Sequence, residues 1–176
     1  MGRASAGQPD DPESEPVELA DLGSGAGLPG IVLAILLPGV RVVLVEPKVR
    51  RTTFLRECVA ELGLGNVEVR RARAEDLTGE IRADVVTSRA VARLDRLAGL
   101  ASGLARPGGL VLALKGATAG EELARALPVL RRLGATGAEI VSVGAGLVEP
   151  PTSVVRFRTA PGLERPTEGR SRNART

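Results

Sequence analysis

At residues 20–30 the sequence reads Ala20-Asp21-Leu22-Gly23-Ser24-Gly25-Ala26-Gly27-Leu28-Pro29-Gly30, between an apolar run that ends at Leu22 and another that extends to Leu37. This order predicts a strand, a glycine-rich turn and a helix. The first three glycines carry no Cβ, so they let a ligand approach the backbone and they tolerate a positive φ. The helix that follows presents unpaired N–H groups and the positive end of its dipole, so a nucleotide-like cofactor is the usual ligand of such a turn.

The spacing within this stretch fits more than one cofactor. Gly25, Gly27 and Gly30 satisfy the dinucleotide fingerprint G-x-G-x-x-G, and Glu46 stands at about the distance expected of a ribose-binding acid. Asp21, two residues before the first glycine, suits a ligand with ammonium and sulfonium charges better than a pyrophosphate. The pattern D-x-G-S-G-x-G is that of S-adenosylmethionine (SAM) methyltransferases. A dinucleotide, or a tight turn without any ligand, is the alternative to SAM at this point.

Strands and helices alternate along the rest of the chain. Strands are predicted at 17–21, 41–46, 67–70, 83–88, 110–114, 138–143 and 153–158, and helices at 28–37, 48–63, 94–104 and 121–133. This alternation predicts an α/β fold with a doubly wound, mostly parallel, seven-stranded sheet. No long helix separates the last two strands, so one of them is expected to run antiparallel. The predicted domain is 17–158, with a disordered lead-in at 1–16 and a flexible basic tail at 159–176.

Residue usage narrows the possible chemistry. The 176 residues include no histidine, tyrosine or tryptophan. The missing imidazole removes the usual general base, the usual metal ligand and any Ser-His or Cys-His nucleophile pair, and no metal site is predicted. Phe54 and Phe157 are the only aromatic rings, so few side chains are available for stacking of a base on an exposed ring. Cys58 is the only cysteine, which excludes a disulfide framework, and we expect it to be a small core residue.

The charge balance permits a polyanionic partner without requiring one. The net charge is +3, Lys48 and Lys115 are the only lysines, and arginine supplies the other positive charges. No apolar stretch is long and clean enough to span a bilayer, and the first residues lack the apolar segment of a signal peptide. We therefore expect a cytoplasmic protein without a membrane partner. The sequence leaves the oligomeric state open, with a monomer as the expectation.

Polar residues recur at the carboxyl ends of the predicted strands, where ligands bind in open parallel sheets. They are the segment Asp21 to Gly25, Glu46, Ala74-Glu75 in a loop, Ser88-Arg89 with Arg89 just past the fourth strand, and Lys115. One rim of the sheet is therefore the predicted site. Arg50 and Arg51 begin a helix that is expected to lead away from this rim, where they would face solvent or a phosphate.

Several sequence blocks occur in the order found in one known family. They are Leu22-Gly23-Ser24-Gly25-Ala26-Gly27-Leu28-Pro29-Gly30, then Glu46 with Arg50-Arg51 and Phe54-Leu55-Arg56, Arg73-Ala74-Glu75, Ser88-Arg89-Ala90-Val91-Ala92, and Ala113-Leu114-Lys115-Gly116. From about residue 17 to about residue 158, the chain resembles the ribosomal RNA small subunit methyltransferase G family, also called glucose-inhibited division protein B. The resemblance implies a class I, Rossmann-like SAM-methyltransferase fold and methylation of guanine N7 in the decoding-region loop of 16S rRNA.

The glycine-rich stretch and the resemblance together give a set of positions expected to contact SAM. They are Asp21, Gly23, Gly25, Leu28, Glu46, Ala74, Glu75 and Arg89. The resemblance implies that Glu46 accepts hydrogen bonds from the ribose hydroxyls, that Ala74 and Glu75 face the adenine, and that Arg89 lies at the mouth of the site.

Arg89 and Lys115 are the expected catalytic residues, because they are the candidates for handling the target base. Guanine N7 has an exposed lone pair and can attack a sulfonium methyl without first losing a proton, so this reaction does not need a histidine. The expected partner is 16S rRNA or the 30S subunit. A salt bridge at the sheet rim is the alternative interpretation of both residues.

Two other functions compete with this one. An NAD(P)-dependent oxidoreductase would fit the glycine spacing, but its proton donor could only be Lys115 or an acid. A relative that binds the cofactor without turnover is the other alternative. It is suggested by the polar lead-in, which stands where the family has a helical segment before the first strand.

Overall fold

The computed structural model describes residues 16–89 and 91–162, which form one seven-stranded sheet with helices on both faces. The strands are β1 (Glu18–Leu22), β2 (Arg41–Val45), β3 (Val67–Arg70), β4 (Ala83–Arg89), β5 (Ala105–Lys115), β6 (Thr136–Val143) and β7 (Thr152–Arg158). The helices are α1 (Gly30–Leu36), α2 (Val49–Glu61), α3 (Leu94–Leu104) and α4 (Ala119–Arg132), and a short 3-10 helix, Ala74–Leu77, follows β3.

The strand order across the sheet is β3-β2-β1-β4-β5-β7-β6. Pairing is parallel from β3 to β5, whereas β7 runs antiparallel to both β5 and β6. The order reverses between β1 and β4, which opens a crevice at their carboxyl ends. The predicted α/β class, the seven strands and the antiparallel course of one of the last two strands are confirmed.

The core is aliphatic on both faces of the sheet. Along β2 successive side chains point to opposite faces, so Val42 and Leu44 pack toward α1 and α2 while Val43 and Val45 pack toward α3. This is why β2 is a nearly continuous apolar run. The α3 and α4 side holds the larger cluster, which includes the buried ring of Phe157.

β5 is longer than predicted. The sequence predicts a turn at 106–109 before a strand at 110–114, whereas the strand covers Ala105–Lys115. Its pairing with β4 passes from Ala83–Ala105 to Val85–Leu110, so the residues in between form a bulge, and Gly108 has a φ of 71°. The predicted turn chemistry is therefore present, but it lies inside the strand.

The packed domain extends past its predicted boundary at residue 158. Thr159 is buried, its N–H donates to the Gly109 carbonyl oxygen at 3.0 Å, and its hydroxyl donates to the Arg106 carbonyl oxygen at 2.8 Å. The start of the predicted tail is therefore fixed against the β5 bulge. The rest of the predicted tail, from 163, and the predicted lead-in up to residue 15 lie outside the described residues.

Smaller differences concern single elements. Residues 74–76, predicted as a loop, belong to the 3-10 helix, and Arg89 is the last residue of β4 rather than the first beyond it. Cys58 is only partly buried, at the edge of the α1 and α2 cluster. Across the described ranges, no helix combines the length and the apolar character needed to cross a bilayer.

Candidate functional site

The glycine-rich turn between β1 and α1 is fastened to the neighbouring strand. The N–H groups of Gly23 and Ser24 both donate to the Val45 carbonyl oxygen, at 2.8 and 3.1 Å. Gly23, Gly25 and Gly27 have φ values of 72°, 58° and 89°, which other residue types adopt only with strain. The predicted sequence of strand, glycine turn and helix is confirmed.

The space above the turn differs between two of its glycines. A Cβ on Gly23 would lie 2.4 Å from Cγ2 of Val91, because this valine rests directly on the glycine. A Cβ on Gly25 would meet nothing closer than the Gly23 carbonyl oxygen, at 3.7 Å, and Nη1 of Arg51, at 3.9 Å. Gly23 thus admits the loop between β4 and α3, whereas Gly25 lines the cavity and a Cβ there would make only ordinary van der Waals contacts.

Asp21 lies beneath the turn and does not line the cavity beside it. The residue is 1% exposed, and its Oδ2 accepts a hydrogen bond from the Gly30 N–H at 3.1 Å. The carboxylate therefore stabilises the N-terminus of α1. Burial raises the pKa of Asp21 to about 6, against the opposing effects of the Gly30 N–H, the Ser24 hydroxyl and the Arg89 guanidinium. Contact between Asp21 and a cofactor stays a prediction, and the structure gives this carboxylate a different partner.

The buried carboxyl makes stability depend on pH. Its folded pKa of about 6 exceeds the ordinary 3.8, so the folded chain binds more protons than the unfolded chain between these values. The stability contributed by this carboxyl is therefore complete below 3.8 and is lost as the pH rises through 6. Asp21→Asn cannot ionise at this position. We therefore expect the difference in unfolding free energy, variant minus parent, to increase by about 2 kcal/mol from about pH 4.5 to about pH 7.5. Urea denaturation of both proteins measures this, and a pH-independent difference would contradict a raised pKa.

Glu46 follows β2 and holds the glycine turn from the side. Its Oε2 accepts from the Gly25 N–H at 3.1 Å, its Oε1 accepts from the Lys48 N–H at 2.9 Å, and Nη1 of Arg51 lies 3.5 Å from Oε2. Carboxylate oxygens can accept more than one hydrogen bond, so Glu46 retains the capacity to accept from a ligand hydroxyl. Its position at the cavity is as predicted, and its contact with a ribose stays a prediction.

The main cavity, of about 570 Å³, opens beside the turn at the carboxyl ends of β1, β2 and β4. Its walls are Gly23, Ser24, Gly25, Ala26, Leu28, Glu46, Pro47, Lys48, Arg50, Arg51, Phe54, Arg89 and Val91. Five of the predicted cofactor positions thus come together around one space. The expectation that Arg50 and Arg51 lead away from the site is wrong, because the first turn of α2 runs along the cavity.

A smaller cavity of about 180 Å³ adjoins the main one and contains the predicted adenine-facing pair. Ala74 is buried, whereas Glu75 is about half exposed and its Oε1 lies 3.4 Å from Nη2 of Arg96. The pKa of Glu75 is lowered, first by its own backbone N–H and then by Arg96. The two cavities share Gly23, Pro47 and Val91, so they are compartments of one crevice.

Lys115 is enclosed by protein groups. Its side chain is 7% exposed, and Nζ donates to the Ala92 carbonyl oxygen at 2.8 Å and pairs with Oε2 of Glu122 at 2.9 Å. The same Glu122 oxygen accepts from the Leu94 N–H at 2.9 Å. Burial raises the pKa of Glu122, but the hydrogen bonds from Lys115 and Leu94 outweigh it and leave the pKa below its usual value. The pair joins β5, α4 and the loop before α3, which favours the salt-bridge interpretation of Lys115.

Arg89 stands between two cavities at the end of β4. It lines the main cavity and a third one, of about 580 Å³, whose walls also include Lys115 and Glu122. Among residues 16–89 and 91–162, no hydrogen bond or ion pair engages the Arg89 guanidinium. Within the described ranges the salt-bridge interpretation therefore suits Lys115, and the role of Arg89 stays a prediction.

Three contributors to this region were not anticipated from the sequence: Phe54, Val91 and Glu122. The Phe54 residue is 46% exposed and lines the main cavity, so one of the two rings is available for stacking, to which the sequence predicts only a small contribution. Val91 lines all three cavities, and Glu122 anchors Lys115. Only Phe54 carries a sequence signal, since it lies four residues after Arg50 on one helical face.

Solved structures with the same architecture define the class of fold. A SAM-dependent O-methyltransferase from Thermotoga maritima superimposes with a TM-score of 0.64 at 15% sequence identity, covering 86% of this chain and 62% of that one. A putative rRNA methylase from Clostridium thermocellum gives a TM-score of 0.60 at 17% identity, covering 84% of this chain and 89% of that one. The fold is therefore that of the class I SAM-dependent methyltransferases.

Sequence comparison narrows the class to one family. The family model of rRNA small subunit methyltransferase G matches residues 10–147, and the chain belongs to this family. The ribosomal RNA small subunit methyltransferase G of Nocardioides sp. is 59% identical over 138 residues, which cover 78% of this chain and 55% of that protein. The corresponding protein of Thermobifida fusca is 52% identical over 151 residues, covering 86% and 64%. The chain thus spans between half and two thirds of the length of these relatives.

Proposed function

We propose that this chain catalyses SAM-dependent methylation of guanine N7 in 16S rRNA. The observation that carries the proposal is the single crevice that brings the glycine turn, Glu46 and Arg89 together in a member of this family. The relatives are named as small subunit rRNA methyltransferases, which supports small subunit rRNA as the substrate class. The choice of N7, and of the decoding-region loop, rests on the family resemblance.

The residues of the crevice fit an adenosyl ligand. Gly25 lines the cavity without a side chain that would take up its volume, and Glu46 offers carboxylate oxygens for hydroxyl groups beside it. On the far side of Pro47, the small cavity at Ala74 has room and an apolar wall for a flat ring. When bound, SAM supplies a methyl group made electrophilic by its sulfonium.

The chain itself would orient the acceptor and exclude water. The lone pair of guanine N7 is available at neutral pH, so no residue has to act as a general base, and a chain without histidine suffices. The Arg89 guanidinium borders both larger cavities and can donate to guanine O6 or to a phosphate. A fork bonded to O6 and N7 together would block the nucleophile, so we assign Arg89 to O6 or to a phosphate alone.

The dinucleotide alternative is disfavoured by the environment of α1. In dinucleotide-binding folds the pyrophosphate occupies the N-terminus of the first helix. Here that terminus is stabilised by the buried carboxylate of Asp21, bonded to the Gly30 N–H, and a second anion there would be repelled. The antiparallel β7 between β5 and β6 also departs from the parallel strand order of that fold.

Methyl transfer from labelled SAM to 30S particles and to stripped 16S rRNA, with the modified base identified by mass spectrometry, tests the proposal. We expect label on guanine N7, and we expect Arg89→Ala to lower the transfer rate at least about tenfold while leaving the unfolding free energy within about 0.5 kcal/mol. Arg56→Ala is the matched control, because Arg56 is exposed on α2 and does not line the cavity. SAM binding without any transfer would favour the alternative of a cofactor-binding relative without turnover.

A further inference from the structure

The wall of the main cavity formed by α2 carries a charge that SAM alone does not explain. Lys48, Arg50, Arg51 and Arg89 line the cavity, and among the residues that the structure describes Glu46 is the only acid in its walls. The Glu46 oxygens already accept two backbone N–H groups and lie beside Arg51. Because SAM is itself a net cation, SAM does not account for this surplus of positive charge, which favours a polyanion as a second ligand of the same crevice.

The same wall carries an exposed aromatic ring. The Phe54 residue is 46% exposed at the cavity, whereas Phe157, the other phenylalanine, is 1% exposed within the core. Phe54 lies one helical turn beyond both Arg50 and Arg51, so the ring and the two guanidinium groups share one face of α2. An exposed ring flanked by cations is the arrangement with which proteins bind unpaired bases, stacking the base on the ring while the cations contact the phosphates.

We propose that Phe54, Arg50 and Arg51, on the α2 wall of the crevice, form a stacking site for an unpaired nucleotide of the RNA substrate. This inference deepens the proposed function and rests on it for the identity of the RNA. A base flanking the methylated guanine stacks on Phe54, and its phosphates lie against Arg50 and Arg51. Phe54 is absent from the small cavity at Ala74, so the ring is separate from the compartment that fits adenine.

Binding of a fluorescently labelled, single-stranded RNA of about 12 nucleotides to the full chain, measured by anisotropy, tests the site. We expect Phe54→Ala to weaken binding between about fivefold and about a hundredfold, with no change in salt dependence. Arg50→Ala should instead reduce the slope of log affinity against log salt by about 0.7, the signature of one lost phosphate contact. Leu62→Ala and Arg56→Ala, exposed positions on or just after α2 outside the cavity, are the controls and should bind as the parent does.

Phe54→Leu separates stacking from a merely apolar contact. A stacking site predicts that leucine binds RNA as weakly as alanine, whereas an apolar contact with another protein surface predicts that leucine restores the parent behaviour. RNA affinity unchanged in Phe54→Ala, or restored in Phe54→Leu, would overturn the inference. Thermal denaturation of each variant without ligand confirms that the exposed substitutions leave the fold intact.

Titration calorimetry with SAM keeps the inference distinct from the proposed function. Phe54 lines the same cavity as Gly25 and Glu46, so the comparison is between two losses of affinity in Phe54→Ala. A fall in RNA affinity larger than the fall in SAM affinity supports the stacking role, whereas a fall in SAM affinity as large as that in RNA affinity would overturn it by placing the ring in the donor site. If the parent protein methylates rRNA but Phe54→Ala binds RNA as tightly as the parent does, the stacking site is refuted and the proposed function is not. If the parent protein transfers no methyl group but its RNA binding depends on Phe54, the proposed function is refuted and the stacking site is not.

Discussion

Replacement of Lys115 by methionine is expected to lower the free energy of unfolding by about 3 kcal/mol, because it leaves the Glu122 carboxylate largely enclosed without its cation. The Glu122 side chain is only 17% exposed, and the substitution also removes the donor to the Ala92 carbonyl oxygen. Methionine nearly preserves the side-chain volume, so the loss reports the charge and the hydrogen bond rather than a cavity. Urea denaturation near neutral pH measures the effect.

Two further variants test whether the loss of stability comes from the enclosed, unpaired charge of Glu122. The double variant Lys115→Met with Glu122→Gln should recover part of the loss, because the amide oxygen of glutamine can still accept from the Leu94 N–H without an unpaired charge. Arg156→Met is the matched control, since the Arg156–Glu139 pair is short, at 2.7 Å, but both side chains are about half exposed. That control should cost less than about 1 kcal/mol. A similarly small cost for Lys115→Met would show that its ion pair behaves as a surface pair.

Substitution of Gly25 by asparagine is expected to weaken SAM binding by about two orders of magnitude. The asparagine side chain would occupy the open space above the turn, and overpacking of this kind costs about 1–3 kcal/mol. Gly25 has a φ of 58°, a conformation that asparagine tolerates better than other non-glycine residues, so the fold should survive. Titration calorimetry with SAM gives the affinity, and thermal denaturation gives the stability.

Gly63→Asn controls for the backbone cost of this substitution. Gly63 has a φ of 63° just after α2, and a Cβ there would meet no atom within 4 Å. The control should therefore share the stability change of Gly25→Asn and bind SAM as the parent does. Undiminished SAM affinity in Gly25→Asn would mean that the open space above the turn is not the cofactor site.

The architecture could be predicted from the sequence because local pattern and global topology agree in this chain. The continuous apolar run of β2 indicates a strand covered on both faces, and Pro38-Gly39 marks the stop between α1 and that strand. The bounds of β3 and α3 are as predicted. The β5 bulge could not be predicted, because residues 106–109 signal a turn. They stay within the strand because Ala105 and Leu110 on either side pair with β4 and because Thr159 donates to the Gly109 carbonyl oxygen.

The rim of the sheet could be located from the sequence, but the direction of individual side chains could not. Asp21 and Glu46 both end strands at the same edge, yet one bonds the first N–H of α1 from below and the other faces the cavity. Lys115 was predicted to meet a substrate, but its partner Glu122 comes from α4, and no sequence pattern pairs the two. Phe54 and the arginines before it reach the cavity because α2 packs along the crevice, an orientation set by tertiary contacts.

The antiparallel course of β7 brings the last described residues back to the beginning of the regular part of β5. Arg158, at the end of β7, pairs with Leu110 near the beginning of the regular part of β5, and Glu18, at the start of β1, donates its N–H to Asp84 at the start of β4. Residues 16 and 162 therefore both lie near the amino ends of the parallel strands, the edge of the sheet opposite the crevice. About one strand length, or roughly 17 Å, separates the two edges. A solid support attached close to either residue would therefore orient the protein with its crevice facing the solution.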